Sequence, residues 1–129
     1  MRLIIDSHIL LALTPRRRVD LDARIAAVLR DPNSRVWISV VSLWEIAIKT
    51  RLGKLDPGMP LDDLPPYGES LGVDLFCVTA SHAVAGVDPL PPTRDPFDRM
   101  LLAQCLVEGC KLVTLDGAMR HHPLALRIS

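Results

Sequence analysis

The feature that most constrains the fold is a repeated alternation of short, continuously apolar segments with segments of helical spacing. The apolar segments predict buried strands in RLII, RVWISVV, the start of VDLFCVTASHAVAGV, and KLVTL. Helices are predicted in ILLAL, LDARIAAVLRD, SLWEIAIKTRLGKL, which Gly53 can end, the later part of VDLFCVTASHAVAGV, and DRMLLAQCLVEG. Strands that are apolar throughout are typical of a parallel sheet covered on both faces. We therefore predict an α/β fold, a three-layer sandwich with a mostly parallel central sheet.

A single domain spanning 1–129 fits the length of 129 residues and the hydrophobic fraction of 49%. Two proline-rich stretches, DPGMPLDDLPP and DPLPPTRDP, predict long loops, and a tail begins at DGAMRHH. No apolar run reaches the roughly 18 residues of a membrane span, so no membrane association is expected. The three cysteines form no CxxC pair and no secretory signal is present, which predicts reduced, core-packed thiols in the cytoplasm.

Four acidic residues are placed at the ends of predicted strands or at the starts of predicted helices. Asp6 directly follows RLII, and Asp116 directly follows KLVTL. Glu45 and Asp98 are expected in the first turns of their helices. In a parallel sheet the carboxyl ends of strands and the amino ends of helices share one edge, where ligands bind. All four acids are therefore predicted to lie on the same side of the molecule.

Asp95 and Asp98 illustrate two different uses of an acid near a helix start. Asp95 precedes Pro96 at the beginning of an apolar helical pattern, which predicts a helix N-cap with proline at the first helical position. Asp98 shares its helix face with an apolar stripe that includes Leu101 and Cys105. A carboxylate directed towards the core needs a partner, because burying an unpaired charge is costly.

Taken singly, the other acids also have structural explanations. Asp6 and Asp116 are placed to cap helices, and Glu45 is spaced to pair with Lys49 one turn later. Taken together, four carboxylates at one edge repel each other, by on the order of 4 kcal/mol for each pair at about 4 Å. A hard divalent cation would relieve that repulsion, and oxygen ligands favour Mg²⁺ or Mn²⁺. No HExxH, CxxC or EF-hand pattern supports zinc or calcium.

Four segments, LIIDSHILL, SVVSLWEIAIKTRLGKL, RDPFDRMLLAQ and LVTLDGAM, resemble in order and spacing the PIN-domain ribonucleases. The likeness is strongest to the toxins of VapBC-type toxin–antitoxin pairs and covers nearly the whole chain. It implies a PIN-like sandwich and a Mg²⁺- or Mn²⁺-dependent endoribonuclease that leaves a 5′ phosphate and a 3′ hydroxyl. The metal-site residues that it implies are Asp6, Glu45, Asp98 and Asp116, with Ser7 and Thr114 in supporting positions.

The same resemblance implies two protein partners, a cognate antitoxin and a second copy of the chain in a homodimer. The sequence departs from the family in a few places. Ser7 stands where threonine is frequent, Ala12 stands where tryptophan is frequent, and the tail RHHPLALRIS is less typical. These departures bear on substrate preference more than on activity. A transfer RNA loop, a ribosomal RNA loop and messenger RNA all remain open as targets.

RNA contacts are expected from basic residues near the acids, since the formal net charge of zero neither indicates nor excludes a nucleic-acid partner. The candidates are Arg16, Arg17, Arg18, Lys49, Arg94 and Arg99. The histidines, His8, His82, His121 and His122, are interpreted as structural rather than catalytic, with the last two forming a polar helix end.

Two other classes of protein compete with the nuclease interpretation. A degenerate PIN fold that only binds would normally have lost one of the four acids, and none is missing here. A receiver-like signalling module needs an aspartate at the end of its middle strand, and VDLFCVTAS supplies none there. Cleavage of labelled RNA only when Mg²⁺ is present would select the enzyme.

Overall fold

A central sheet of four parallel strands organises the molecule, of which this computed structural model describes residues 1–17 and 21–128. The strands are β1 (Arg2–Ile5), β2 (Arg35–Ser39), β3 (Val73–Phe76) and β4 (Lys111–Val113). Their order in the sheet is β3-β2-β1-β4, and each neighbouring pair is parallel. The prediction of an α/β sandwich with a parallel sheet is confirmed.

Helices connect the strands and cover the sheet. They are α1 (Ser7–Ala12), α2 (Ala23–Arg30), α3 (Val40–Arg51), α4 (Leu64–Ser70), α5 (Ala80–Val84) and α6 (Pro96–Glu108), with a 3-10 turn at Leu61–Asp63. Helices α1 and α3 begin almost immediately after β1 and β2, so their amino ends lie at the carboxyl edge of the sheet. Among the described residues, no helix is long and apolar enough to cross a membrane.

Two apolar clusters pack on opposite faces of the sheet. Leu3 and Ile5 of β1 belong to one cluster, which includes buried side chains of α1 and α3. Ile4, whose side chain points to the other face, belongs to a second cluster with Leu101 and Leu102 of α6. Because side chains alternate between faces along a strand, a central strand covered on both sides must be apolar at every position. This explains the apolar LII part of β1, whose first residue, Arg2, is exposed.

The first proline-rich segment is less irregular than the sequence predicts. Residues 56–66 were expected to form a loop, but they contain the 3-10 turn and the start of α4. Pro65 and Pro66 occupy the first turn of that helix. Backbone N–H groups have no intrahelical acceptor there, so proline costs little at this point. The second proline-rich stretch is a loop up to Asp95, as predicted.

The boundaries of two elements differ from the predicted ones. β2 ends at Ser39, whose hydroxyl accepts a hydrogen bond from Val41 N at 3.1 Å and so caps α3. Glu45 therefore lies in the second turn of α3 rather than the first. β4 ends at Val113, so Asp116 follows the strand by a short turn rather than directly. Gly53, with φ of 72°, follows the end of α3 as predicted.

Two histidines and one cysteine correct or refine the sequence interpretation. His82 is buried in α5 and its Nε2 lies 2.8 Å from Glu108 Oε1, a structural link to α6. His122 is buried in a turn rather than at a polar helix end, because its ring contacts Pro89 O and Leu124 N. Cys77 is exposed, so the prediction of core packing is wrong there, whereas the other two cysteines are buried.

Candidate active site

Asp6 sits where β1 meets α1 and uses both carboxylate oxygens. Oδ1 accepts a hydrogen bond from Ile9 N at 2.9 Å, which makes Asp6 the N-cap of α1. Oδ2 accepts a hydrogen bond from the Thr114 hydroxyl, whose oxygen in turn accepts one from Asp116 N at 3.0 Å. Burial raises the pKa of Asp6 even though these donors oppose that effect. The capping role and a position beside the other acids therefore coexist in one residue.

Glu45 is buried on α3 and is held from two sides. The Ser7 hydroxyl donates to Oε1 at 2.9 Å, and Lys49 Nζ donates to Oε2 at 2.7 Å. The Lys49 pair was one of the alternatives left open by the spacing, and the structure contains it. The hydrogen bond to Glu45 raises the pKa of Lys49, and the charges of Asp95 and Asp98 add to that effect.

Asp98 lies in the first turn of α6, as predicted, half-buried on the face that also presents Leu101 and Cys105 to the core. Its pKa rises to about 6, first because burial disfavours the charged form. The remaining causes are the negative charges of four neighbours, Asp95, Asp116, Glu45 and Asp6. Among the described residues, no hydrogen-bond donor contacts this carboxylate.

The remaining two acids near this edge each accept a hydrogen bond from a backbone N–H two residues later in the chain. Asp116 is exposed and its Oδ1 accepts a hydrogen bond from Ala118 N at 2.8 Å, which stabilises a turn rather than the helix that a cap would imply. Asp95 is the N-cap of α6, as predicted, and its Oδ1 accepts from Phe97 N at 2.8 Å. The structure therefore separates the capping acid from Asp98.

The four predicted acids lie within electrostatic reach of one another, and their chemistry suits a hard divalent cation. All the ligand atoms would be carboxylate oxygens, and the Asp98 carboxylate lacks a donor. Yet in the described part of the chain no three histidine, cysteine, aspartate or glutamate side chains are arranged to hold a metal ion. Asp6 and Glu45 each have both oxygens occupied, and Lys49 supplies positive charge at Glu45.

Comparison with known families adds an independent finding. The sequence model of the PIN domain matches residues 3–123, a span that contains all four acids. The chain belongs to the PIN domain family. PIN domains are generally nucleases, and they typically use divalent metal ions. No curated protein matches the sequence.

A cavity of about 310 Å³ opens beside the acids of this PIN domain. Its lining combines two acids, Asp22 and Asp116, and His8 with apolar side chains, among them Ala12 and Leu115. Ala12 contributes only a short side chain to this lining. His8 is exposed, so it does not contribute to the core.

Two of the arginines that were predicted to contact RNA lie in the loop between α1 and α2 and contact a second loop at Asp56. Arg16 Nη1 lies 3.5 Å from Asp56 Oδ2, and Arg17 Nη2 donates to the Asp56 carbonyl at 2.7 Å. Arg18 lies outside the described residues. These contacts give Arg16 and Arg17 a structural role, and RNA binding by them stays a prediction.

The other predicted basic residues stand closer to the acids of the PIN domain. Lys49 is engaged by Glu45, and Arg99 Nε donates to Thr93 O at 2.6 Å across the start of α6. Arg94 is exposed directly before the Asp95 cap. RNA contact by these three residues also stays a prediction.

An aromatic pair beside Asp98, formed by an exposed tryptophan and a half-buried phenylalanine, was only partly predicted. Trp44 on α3 is 60% exposed, and its ring meets that of Phe97 edge-on with centroids 5.6 Å apart. Trp44 was visible in the sequence as part of an apolar helix, but its pairing with Phe97 depends on how α3 packs against α6. The pair forms an apolar surface at the edge of the acidic site.

Proposed function

We propose that this PIN domain is an endoribonuclease that hydrolyses RNA phosphodiester bonds with Mg²⁺ or Mn²⁺. The observation that supports this most is Asp98, a half-buried carboxylate without a hydrogen-bond donor, whose pKa is raised to about 6 by burial and by neighbouring acids. Such a group is stabilised by a cation. In this proposal the metal ligands are Asp6, Glu45, Asp98 and Asp116.

A divalent cation bound there would act as a Lewis acid towards the scissile phosphate and the attacking water. The chain's own residues prepare the ligands. Thr114 and the α1 backbone fix the orientation of Asp6, and Ser7 fixes one oxygen of Glu45. Lys49 neutralises the other oxygen of Glu45 in the free protein. With a cation held by the four acids, the Lys49 ammonium beside Glu45 would be placed to supply positive charge to the substrate phosphates.

The experiment is a cleavage assay on labelled RNA with Mg²⁺ or with EDTA. Wild type should cut only with the metal, and Asp6→Asn and Asp98→Asn should each lose nearly all cleavage while they stay folded. Asp95→Asn is the matched control, because asparagine also caps helices and Asp95 is not a proposed ligand. Full activity in both Asp6→Asn and Asp98→Asn would reject the metal site. Products ending in a 5′ phosphate and a 3′ hydroxyl are expected.

We further propose that the nuclease is the toxin of a toxin–antitoxin pair. The exposed Trp44 ring, packed on the half-buried Phe97 beside the acids, suits a partner segment that combines apolar side chains with a basic one. Its apolar residues would cover Trp44 and Ile48 on α3, and its basic side chain would occupy the acidic site in place of the metal. A homodimer is also proposed, which sedimentation analysis would test.

Expression in cells tests the toxin proposal separately from the nuclease proposal. The protein produced alone should arrest growth, the Asp98→Asn variant should not, and co-production of the small protein encoded beside it should restore growth. A harmless wild type that cleaves RNA in vitro would reject the toxin role and leave the nuclease. The alternative of a binding module without catalysis is not favoured, since all four acids are present.

A further inference from the structure

A second, larger cleft of about 730 Å³ lies between β4, the C-terminal segment and the start of α2. The basic residues that line it are Arg24, Lys111, Arg120, His121, His122 and Arg127. None of the described residues in its lining is acidic. Because the chain as a whole has a formal net charge of zero, this cleft is a local concentration of positive charge.

Most of that charge is not neutralised within the protein. Arg24 forms an ion pair with Asp22 at 2.8 Å, so its charge is compensated. Lys111 donates to the Pro123 carbonyl at 2.8 Å, a contact that leaves its charge in place. Arg120 and Arg127 are exposed and form no ion pair with the residues that the structure describes. Three permanent positive charges therefore face the cleft without a counter-charge among residues 1–17 and 21–128.

The cleft borders the acidic site through shared lining residues. Thr114 and Leu115 line it, and the Thr114 hydroxyl donates to Asp6. Leu115 also lines the smaller cavity that contains Asp116. A chain lying in the basic cleft and crossing Leu115 would thus arrive at the four acids.

We propose that this cleft binds backbone phosphates of the RNA strand to one side of the bond that is cut. The inference rests on the proposed nuclease function, because it assumes that RNA reaches the acids. Four carboxylates repel a polyanion, so the attraction that brings RNA to this edge has to come from cations beside the acids. Contacts to phosphates position a strand without reading its sequence, and this suits exposed arginines and a lysine.

The test measures RNA binding without cleavage, by fluorescence anisotropy of a short labelled oligouridylate in EDTA over a range of salt concentrations. The double variant Arg120→Gln/Arg127→Gln should bind roughly tenfold more weakly than wild type. For this variant the slope of log K against log salt should be shallower by about 0.7 for each phosphate contact that is lost, the value expected for single-stranded RNA. Arg120→Lys/Arg127→Lys should restore most of the affinity and slope, because lysine also neutralises phosphates.

Arg30→Gln is the matched control. Arg30 is exposed on the same helix as Arg24, but at the opposite end, where it lines a different cavity. It should leave both affinity and salt slope unchanged. Since the replaced arginines are exposed, thermal melting of all the variants should match that of wild type, which separates lost binding from lost folding.

The outcomes distinguish this inference from the nuclease proposal. Equal affinity and salt slope in wild type and the double variant would overturn the cleft assignment, as would no RNA binding by wild type. If the double variant bound RNA normally but no longer bound a protein that wild type binds, the cleft would be a protein-binding surface. That result would also overturn the proposal. Cleft-dependent binding without Mg²⁺-dependent cleavage would support the cleft and reject the nuclease.

Discussion

At the scale of single residues, the half-buried position of Asp98 lowers the free energy of unfolding once its carboxyl group is ionised. The protonated form of Asp98 is favoured in the folded protein, since its pKa rises from 3.8 to about 6. Between about pH 4 and pH 6 the folded state therefore binds more protons than the unfolded state. The free energy of unfolding falls as the pH rises through that window, and above it Asp98 contributes no further change.

Replacing Asp98 with asparagine should remove this pH dependence. Between about pH 4 and pH 7, in EDTA, the Asp98→Asn variant should gain roughly 1 kcal/mol of unfolding free energy relative to wild type. This figure is well below the full linkage value because solvent screens a half-exposed group. Urea denaturation at several pH values measures the gain. Asp62→Asn, which changes an exposed acid on the 3-10 turn, is the control, and a gain as large there would contradict the assignment to Asp98.

Other residues at the site are positioned by partners distant in the sequence. Thr114 is brought to Asp6 by the pairing of β1 with β4, and Ser7 reaches Glu45 where α1 packs against α3. The family resemblance named Thr114 and Ser7 as supporting residues. The atoms that they contact could not be predicted, because no local pattern relates residues so far apart. The Lys49–Glu45 pair could be predicted, because it needs only one helical turn.

At the scale of elements, α6 is defined by signals at both ends. Asp95 caps its first turn, Pro96 starts it, and Gly109 ends it with φ of 68°. We predict that Asp95→Ala lowers the free energy of unfolding by about 1 kcal/mol, because Phe97 N loses its acceptor. Most Mg²⁺-dependent cleavage should remain. Asp98→Ala should show the reverse, with little loss of stability and nearly complete loss of cleavage.

Urea denaturation and a cleavage assay on the same preparations check this pair of variants. An equal loss of cleavage in both would mean that Asp95 shares the chemical role of Asp98. Asp95→Asn should recover the stability lost in Asp95→Ala, since an asparagine side chain also accepts the hydrogen bond of a helix N-cap.

The elements that sequence predicted best are those specified by local pattern. The strands β1, β2 and β4 and helix α6 follow from apolar spacing and caps, whereas β3 lies at the edge of the sheet and is mostly not buried. Helix α4 was missed because proline was interpreted as a loop signal, whereas Pro65 and Pro66 lie in a first turn that tolerates proline. Glu45 lies one turn later in α3 than predicted, because the Ser39 cap starts the helix inside an apolar run. Such boundaries depend on a single hydrogen bond, which spacing does not reveal.

At the scale of the whole molecule, the sheet assembles sites from residues that are scattered along the chain. The four acids come from the end of β1, from α3, from α6 and from the turn after β4. Their shared edge was predictable, because parallel topology alone dictates it. The basic cleft was not, since Arg24 and Arg127 stand in segments that contain no dense basic run and meet only through tertiary packing. The conspicuous arginine run predicted RNA contact, but Arg16 and Arg17 contact the loop that contains Asp56.

A site assembled from both ends of the chain should link metal binding to global stability. A ligand that binds only the folded state adds about 2.7 kcal/mol at one hundred times its dissociation constant, or about 10 °C in Tm for a domain of this size. We predict that saturating Mg²⁺ or Mn²⁺ raises the Tm of wild type and of Asp95→Asn by this order. Asp98→Asn should gain little, although it is the more stable protein without metal. Calorimetric scans with the divalent ion, with EDTA, and with sodium chloride of matched ionic strength measure the difference. An equal rise in Asp98→Asn and wild type would place the cation elsewhere, because the proposed site cannot bind it equally well after losing the one carboxylate that lacks a partner.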